Sequence, residues 1–150
     1  MPMLTLTRQI CAPPERVFAL TTNVEAFPTV VPAIKKTELL TPGPIAVGTR
    51  FRETREMFGK EATETMEFFD FSPPSSCTIG CTSCGVEYRT RFDFRAVPAG
   101  GTELVMTMDC RPVTLFAKIV SPVMGLMMKG TMRNLLEADL DAVKRAAEAA

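Results

Sequence analysis

The first residues that could do chemistry lie in one heavily charged stretch. Residues 49 to 56 read Thr49-Arg50-Phe51-Arg52-Glu53-Thr54-Arg55-Glu56, and Glu64 follows beyond a glycine turn. Alternate side chains of a strand share a face. If Phe51 points inward, Thr49, Glu53 and Arg55 point inward with it. Likewise Met66 and Phe68 bring Glu64. A buried carboxylate needs a partner or stays protonated, and Arg55 is placed to serve Glu53 or, across the hairpin, Glu64. In an apolar cavity such a cluster could orient a ligand or handle a proton through a carboxyl of raised pKa. The competing reading is a register slip that turns these charges to water. The only tyrosine, Tyr88, is the fourth candidate. Its phenol could orient a ligand or donate a proton, or could be an amphipathic core residue satisfied locally.

The chain has no histidine. Ser-His and Cys-His nucleophiles and histidine metal ligands are therefore excluded, and any acid or base must be Asp, Glu, Lys, Tyr or Cys. Five cysteines are present: Cys11, Cys77, Cys81, Cys84 and Cys110. The Cys77, Cys81 and Cys84 spacing occurs in some iron–sulfur enzymes. On a strand, however, Cys77 and Cys81 share a face about 13 Å apart by the rise per residue. Cys84 falls on the other face or in the turn. No metal and no cofactor is expected, and Cys84 beside Gly85 is a candidate exposed, oxidisable thiol.

These residues must be held by one domain. A chain of 150 residues is too short for two independent cores and long enough for one without disulfides. Seventeen basic residues balance seventeen acidic ones. No overall field favours nucleic acid or an anionic membrane, so either would need local contacts. No nucleic-acid partner is expected. The start has no basic segment followed by an apolar one, and no apolar run approaches a membrane span. A cytoplasmic protein with reduced thiols and no integral membrane segment is the expectation.

Leu4, Leu6 and Ile10 predict a strand over 3 to 10. Pro14 suits the first turn of a helix over 14 to 20. Asn23 can cap a second short helix that Pro28 should end. Strands are expected over 35 to 41, 48 to 57, 61 to 70 and 77 to 83, with turns at Gly59-Lys60, at 72 to 76 and at Cys84-Gly85. From 86 to 95 apolar and charged residues alternate strictly, which gives a strand with one dry face. Leu104, Met106, Met108 and Cys110 share a face of the last strand. Pro112 starts a helical segment. Ser121-Pro122 then either opens a new helix over 122 to 147 or kinks one long helix. Met128, Met132, Leu135, Leu136, Leu140 and Val143 form its apolar stripe. Its first turns, 123 to 128, are apolar all round, which means burial on more than one side or contact with something greasy.

This order of elements resembles the START-like, helix-grip domains of the SRPBCC superfamily, in particular its polyketide cyclase/dehydrase and lipid-transport type. Ala12-Pro13-Pro14-Glu15-Arg16-Val17-Phe18, Val47-Gly48-Thr49-Arg50-Phe51, Phe71-Ser72-Pro73-Pro74 and Gly101-Thr102-Glu103-Leu104 are similar to the family's local punctuation. The resemblance covers about 3 to 145. It implies an α+β fold: a curved antiparallel sheet of about seven strands gripping a long C-terminal helix, with a cavity between them. The two short helices lie at its mouth, and Phe18, Phe27 and the Pro28 to Pro32 loop are expected there.

Inward-facing residues then become the expected ligand wall: Phe51, Met66, Phe68, Ile79, Tyr88, Thr90, Phe92, Met106 and Met108 from the sheet, and Met124, Met127, Met128 and Met132 from the helix. Methionine makes such a wall deformable. The leading expectation is a module that binds or carries a small hydrophobic or aromatic molecule. The alternative is a cyclase- or dehydratase-like enzyme using Glu53, Arg55, Glu64 and Tyr88. A third is an interaction module or homodimer that uses an exposed Leu126 or Met127.

Overall fold

Alternation of Leu4, Leu6 and Ile10 with polar neighbours builds the first strand, β1 (Leu4–Ile10), with those three side chains buried. The computed structural model describes residues 4–57, 59–83 and 85–149, with the backbone alone for Met57, Ser83, Phe116, Ala117 and 120–129. After β1 come α1 (Pro14–Thr22), a 3-10 turn (Val24–Ala26) and α2 (Phe27–Val30). The strands β2 (Ile34–Leu39), β3 (Arg50–Met57), β4 (Lys60–Ser72), β5 (Ser76–Ser83), β6 (Val86–Ala96) and β7 (Thr102–Pro112) follow, and α3 (Leu115–Glu148) closes the chain.

The expected strands are present, with their ends moved by a few residues, but the expectations for Pro28, Asn23 and Pro112 need correction. Pro28 sits in the first turn of α2 instead of ending a helix. Its missing N–H costs nothing there, because first-turn N–H groups have no helical partner. Asn23 precedes the 3-10 turn without a side-chain capping bond. Pro112 ends β7 instead of starting a helix, and of the two readings of Ser121-Pro122 the single long helix is the one formed, running from Leu115. An interior proline forfeits one backbone hydrogen bond. Breaking the helix there would instead expose four N–H and four carbonyl groups.

The sheet is antiparallel throughout, in the order β1-β7-β6-β5-β4-β3-β2. Gly59 and Gly85 close its two tightest hairpins, each with φ of 76°, a conformation that other residues rarely adopt. Curvature is visible in what touches α3. From β1, at one edge, Arg8 Nε donates to Asp141 Oδ1 at 2.7 Å. From β3, next to the other edge, Arg55 Nη1 donates to Asp139 Oδ2 at 2.9 Å. One helix can meet both only if the sheet wraps it.

A bulge at Phe69 in β4 resets the alternation. Phe68 and Phe71 therefore both face inward and join a run of ring contacts, Phe27–Phe51–Phe68–Phe71–Phe18–Phe94, with centroids 5.1 to 5.8 Å apart. This run links the two apolar clusters of the core. Phe18 is part of it and is buried. The C-terminal half of α3 is fixed by Leu140, Val143 and Ala147 against the core. Arg16 on α1 also donates to the carbonyls of Ala146, Ala147 and Ala149 at the helix end. Among the described residues no helix is long and apolar enough to cross a membrane.

Candidate functional site

Between the concave face of the sheet, α2 and α3 lies a cavity of about 280 Å³. The strand period decides what reaches it. Phe51, Glu53 and Arg55 come from β3, Glu64 and Met66 from β4, Ile79 and Cys81 from β5, Tyr88, Thr90 and Phe92 from β6, and Met106 and Met108 from β7. The helical side supplies Leu20, Thr21, Phe27, Val30 and Val31, and from α3 Met132, Leu136, Asp139, Leu140 and Val143. The inward register is thus the one adopted. Glu53 is only 6% exposed, so the solvated-face reading does not hold.

Phe68 is the exception among the expected wall residues. It faces inward but is fully buried between Phe51 and Phe71, the latter turned inward by the bulge at Phe69. Met124, Met127, Met128, Leu126 and Cys84 lie outside the described side chains. Cys77 is buried in the core. Among the described residues no three His, Cys, Asp or Glu side chains converge as they would around a metal ion.

The polar wall is built around Arg55. Its Nε donates to Glu53 Oε2 at 3.1 Å, two residues away on the same strand face, and its Nη1 donates to Asp139 Oδ2 at 2.9 Å. Of the two partners expected for Arg55, Glu53 is bonded along the strand, and the helix adds Asp139. Asp139 is the residue that strand reasoning missed. A signal for it existed: it falls three residues after Leu136 and four before Val143, inside the apolar stripe of α3. An acid on a buried stripe requires a partner.

Burial pushes the Glu53 carboxyl upward, against the pull of the Arg55 charge. The same two influences leave Asp139 raised as well. For Arg55 burial works against the cation, but the two carboxylates outweigh it and its pKa is also raised. The cluster is two acids around one base in a low-dielectric wall. It therefore favours holding a proton or a ligand's hydrogen-bond donor. Glu64 stands directly opposite Glu53 in the β3–β4 register. Tyr88 stands opposite Cys81 on β5 and Cys110 on β7. Burial, with the charges of Glu64 and Glu53, pushes the Cys81 thiol up to about 11. It is a poor nucleophile at neutral pH.

Against known proteins, the family described as polyketide cyclase / dehydrase and lipid transport matches residues 1–148. No curated protein sequence matches the chain. Solved structures share the fold. The Zhui aromatase/cyclase from Streptomyces sp. R1128 superposes with a TM-score of 0.80 at 21% identity, over 97% of this chain and 92% of that one. A START superfamily protein from Mycobacterium smegmatis gives 0.78 at 19% identity, over 97% and 96%. The di-domain aromatase/cyclase BexL of the BE-7585A biosynthetic pathway gives 0.77 at 19% identity, and this chain covers 50% of it.

Proposed function

The chain belongs to the polyketide cyclase/dehydrase and lipid-transport family, and from that premise we propose that it binds a small apolar or aromatic molecule, lipids included, in the cavity gripped by α3. One observation carries this reading: a cavity of about 280 Å³ with mainly apolar walls and one clustered polar wall, Glu53–Arg55–Asp139. That is the makeup of a small-molecule site, where apolar area supplies affinity and a few fixed polar groups set orientation.

The test is native mass spectrometry of freshly purified protein, then denaturing extraction and identification of what is released, alongside thermal shifts with lipids and aromatic compounds. A retained molecule, or a shift that Met66→Trp abolishes by filling the cavity, supports the reading. An empty protein that responds to no compound in the panel overturns it.

A second reading is a cyclase- or dehydratase-like enzyme. It is favoured by Glu53, Arg55, Glu64 and Tyr88 all lining the same cavity, with Asp139 added. A buried acid beside a guanidinium can pass a proton while the cation holds a developing negative charge. Turnover of an extracted or supplied aromatic precursor, reduced at least about a hundredfold by Glu53→Gln with binding retained, would mark it. Binding without turnover leaves the carrier reading alone.

A further inference from the structure

The gripped half of α3 begins at Met132, and every described side chain before it on the helix is exposed. Leu115 is 77% and Ile119 69% exposed, one turn apart on the same face, and Val113 just ahead of the helix is 43% exposed. Ile119 lies about 20 Å along the helix from Met132, the first cavity-lining residue of α3, by the rise per residue. These apolar side chains therefore contribute to neither the core nor the cavity wall.

Charge says what covers them. Between Asp109 and Glu137 the sequence has no acidic residue, while Arg111, Lys118, Lys129 and Arg133 are basic. In a chain of seventeen acids and seventeen bases, that is a strong local asymmetry. Lys118 stands between Leu115 and Ile119 and is exposed, and the Arg111 side chain is 74% exposed. The nearest carboxylates to Arg111 and Arg133 are 3.6 and 3.9 Å away in solvated pairs, which water and competing anions readily replace.

We propose that the segment from Arg111 to Ile119 docks on an anionic lipid surface, with Leu115 and Ile119 entering the headgroup boundary and Lys118 and Arg111 pairing with acidic headgroups. Exposed aliphatic side chains on a segment whose own charges are all basic are the signature of a surface-bound element, and they favour lipid over nucleic acid, which offers the aliphatic pair no apolar phase. The docking is independent of what the cavity holds.

The experiment is co-sedimentation of the full chain with vesicles of phosphatidylcholine plus phosphatidylglycerol, against vesicles of phosphatidylcholine alone. The expected result is binding to the mixed vesicles only, weakened by salt, about fivefold weaker in Lys118→Gln and at least about tenfold weaker in the double variant L115S/I119S. Both positions are solvent-facing, so an unchanged thermal melt shows that these variants fold. Equal binding to both vesicle types, no binding, or undiminished binding by L115S/I119S would overturn the proposal. So would self-association in sedimentation velocity that the double variant abolishes without any vesicle binding, which would make the occupant a second copy.

Discussion

Arg55 carries two carboxylates, and removing it should reveal what they cost. Arg55→Met leaves Glu53 and Asp139 in the cavity wall without a counter-charge. At neutral pH this should destabilise the fold by about 3 kcal/mol, the usual cost of breaking a buried pair from one side. The pH dependence follows from the direction of the shifts. Both carboxyls have raised pKa values in the folded protein. Their protons therefore favour the folded state fully below the ordinary values of 4.5 and 3.8, and that contribution is lost as pH rises through the folded values. Without Arg55 the folded values rise further. The penalty in Arg55→Met should thus shrink as pH falls towards 4.5. Urea unfolding at a series of pH values checks this, and a penalty independent of pH would count against a charged cluster. Cys81 offers a second residue-scale test. With its thiol near 11 instead of the ordinary 9.0, its thiolate is about a hundredfold scarcer at neutral pH. Iodoacetamide should label it far more slowly than exposed Cys11, faster as pH approaches 11, and more slowly again when the cavity is filled. Peptide mass spectrometry reads each site separately.

At the scale of elements, α3 is held by unequal means. Leu140 is 2% exposed and touches both core and cavity. Leu140→Ala should cost about 3 kcal/mol in chemical denaturation and enlarge the cavity, so that bulkier ligands gain relative to small ones. Arg8 ties the same helix to β1 through Asp141, but its side chain is 24% exposed and that of Asp141 46%. Arg8→Ala should cost no more than about 1 kcal/mol. The sheet has its own sensitive point on the convex face. Phe69, the bulge residue of β4, has its ring over Gly80 and under the Arg89 guanidinium, whose carbon lies 3.8 Å from the ring centroid. A Cβ at Gly80 would sit 2.6 Å from the Tyr88 carbonyl oxygen and 2.8 Å from that ring. The ring can swing away, but the carbonyl is part of the β5–β6 ladder. Gly80→Ala should therefore destabilise by about 1–3 kcal/mol, measured by thermal or urea unfolding. An unchanged midpoint would show that the ladder can yield.

For the whole molecule, ligand occupancy and stability are one equilibrium. A molecule that binds only the folded chain stabilises it by about 2.7 kcal/mol at a hundred times its dissociation constant, which for a domain of this size raises Tm by several degrees. The proposed carrier function predicts such a rise, growing with the logarithm of ligand concentration above the dissociation constant, read by differential scanning calorimetry. The same titration in L115S/I119S should be unchanged, because those side chains stand outside the cavity. Loss of vesicle binding with retained ligand binding would then separate the two proposed activities.

Short-range pattern was enough for the strands. Period-two alternation from 86 to 95, the turn glycines and the proline-rich breaks depend only on near neighbours, and they foretold the element order; for Phe51, Glu53 and Arg55 they left two registers open, and burial of Glu53 in the folded chain selects the inward one. The absence of histidine confined the possible chemistry before any fold was considered. Pattern fell short where long-range energetics outweighed local signals. Ser121-Pro122 reads locally either as a helix start or as a proline inside one long helix, and one continuous α3 forms because breaking it would strand more backbone groups than the proline does. Phe68 fits the cavity face by parity, but the bulge at Phe69 also turns Phe71 inward, and Phe51 and Phe71 cover Phe68 completely. The partner of Arg55 was beyond local reach altogether. Asp139 lies 84 residues away in sequence, and only the wrapping of the sheet around α3 brings that carboxylate within 2.9 Å of the guanidinium.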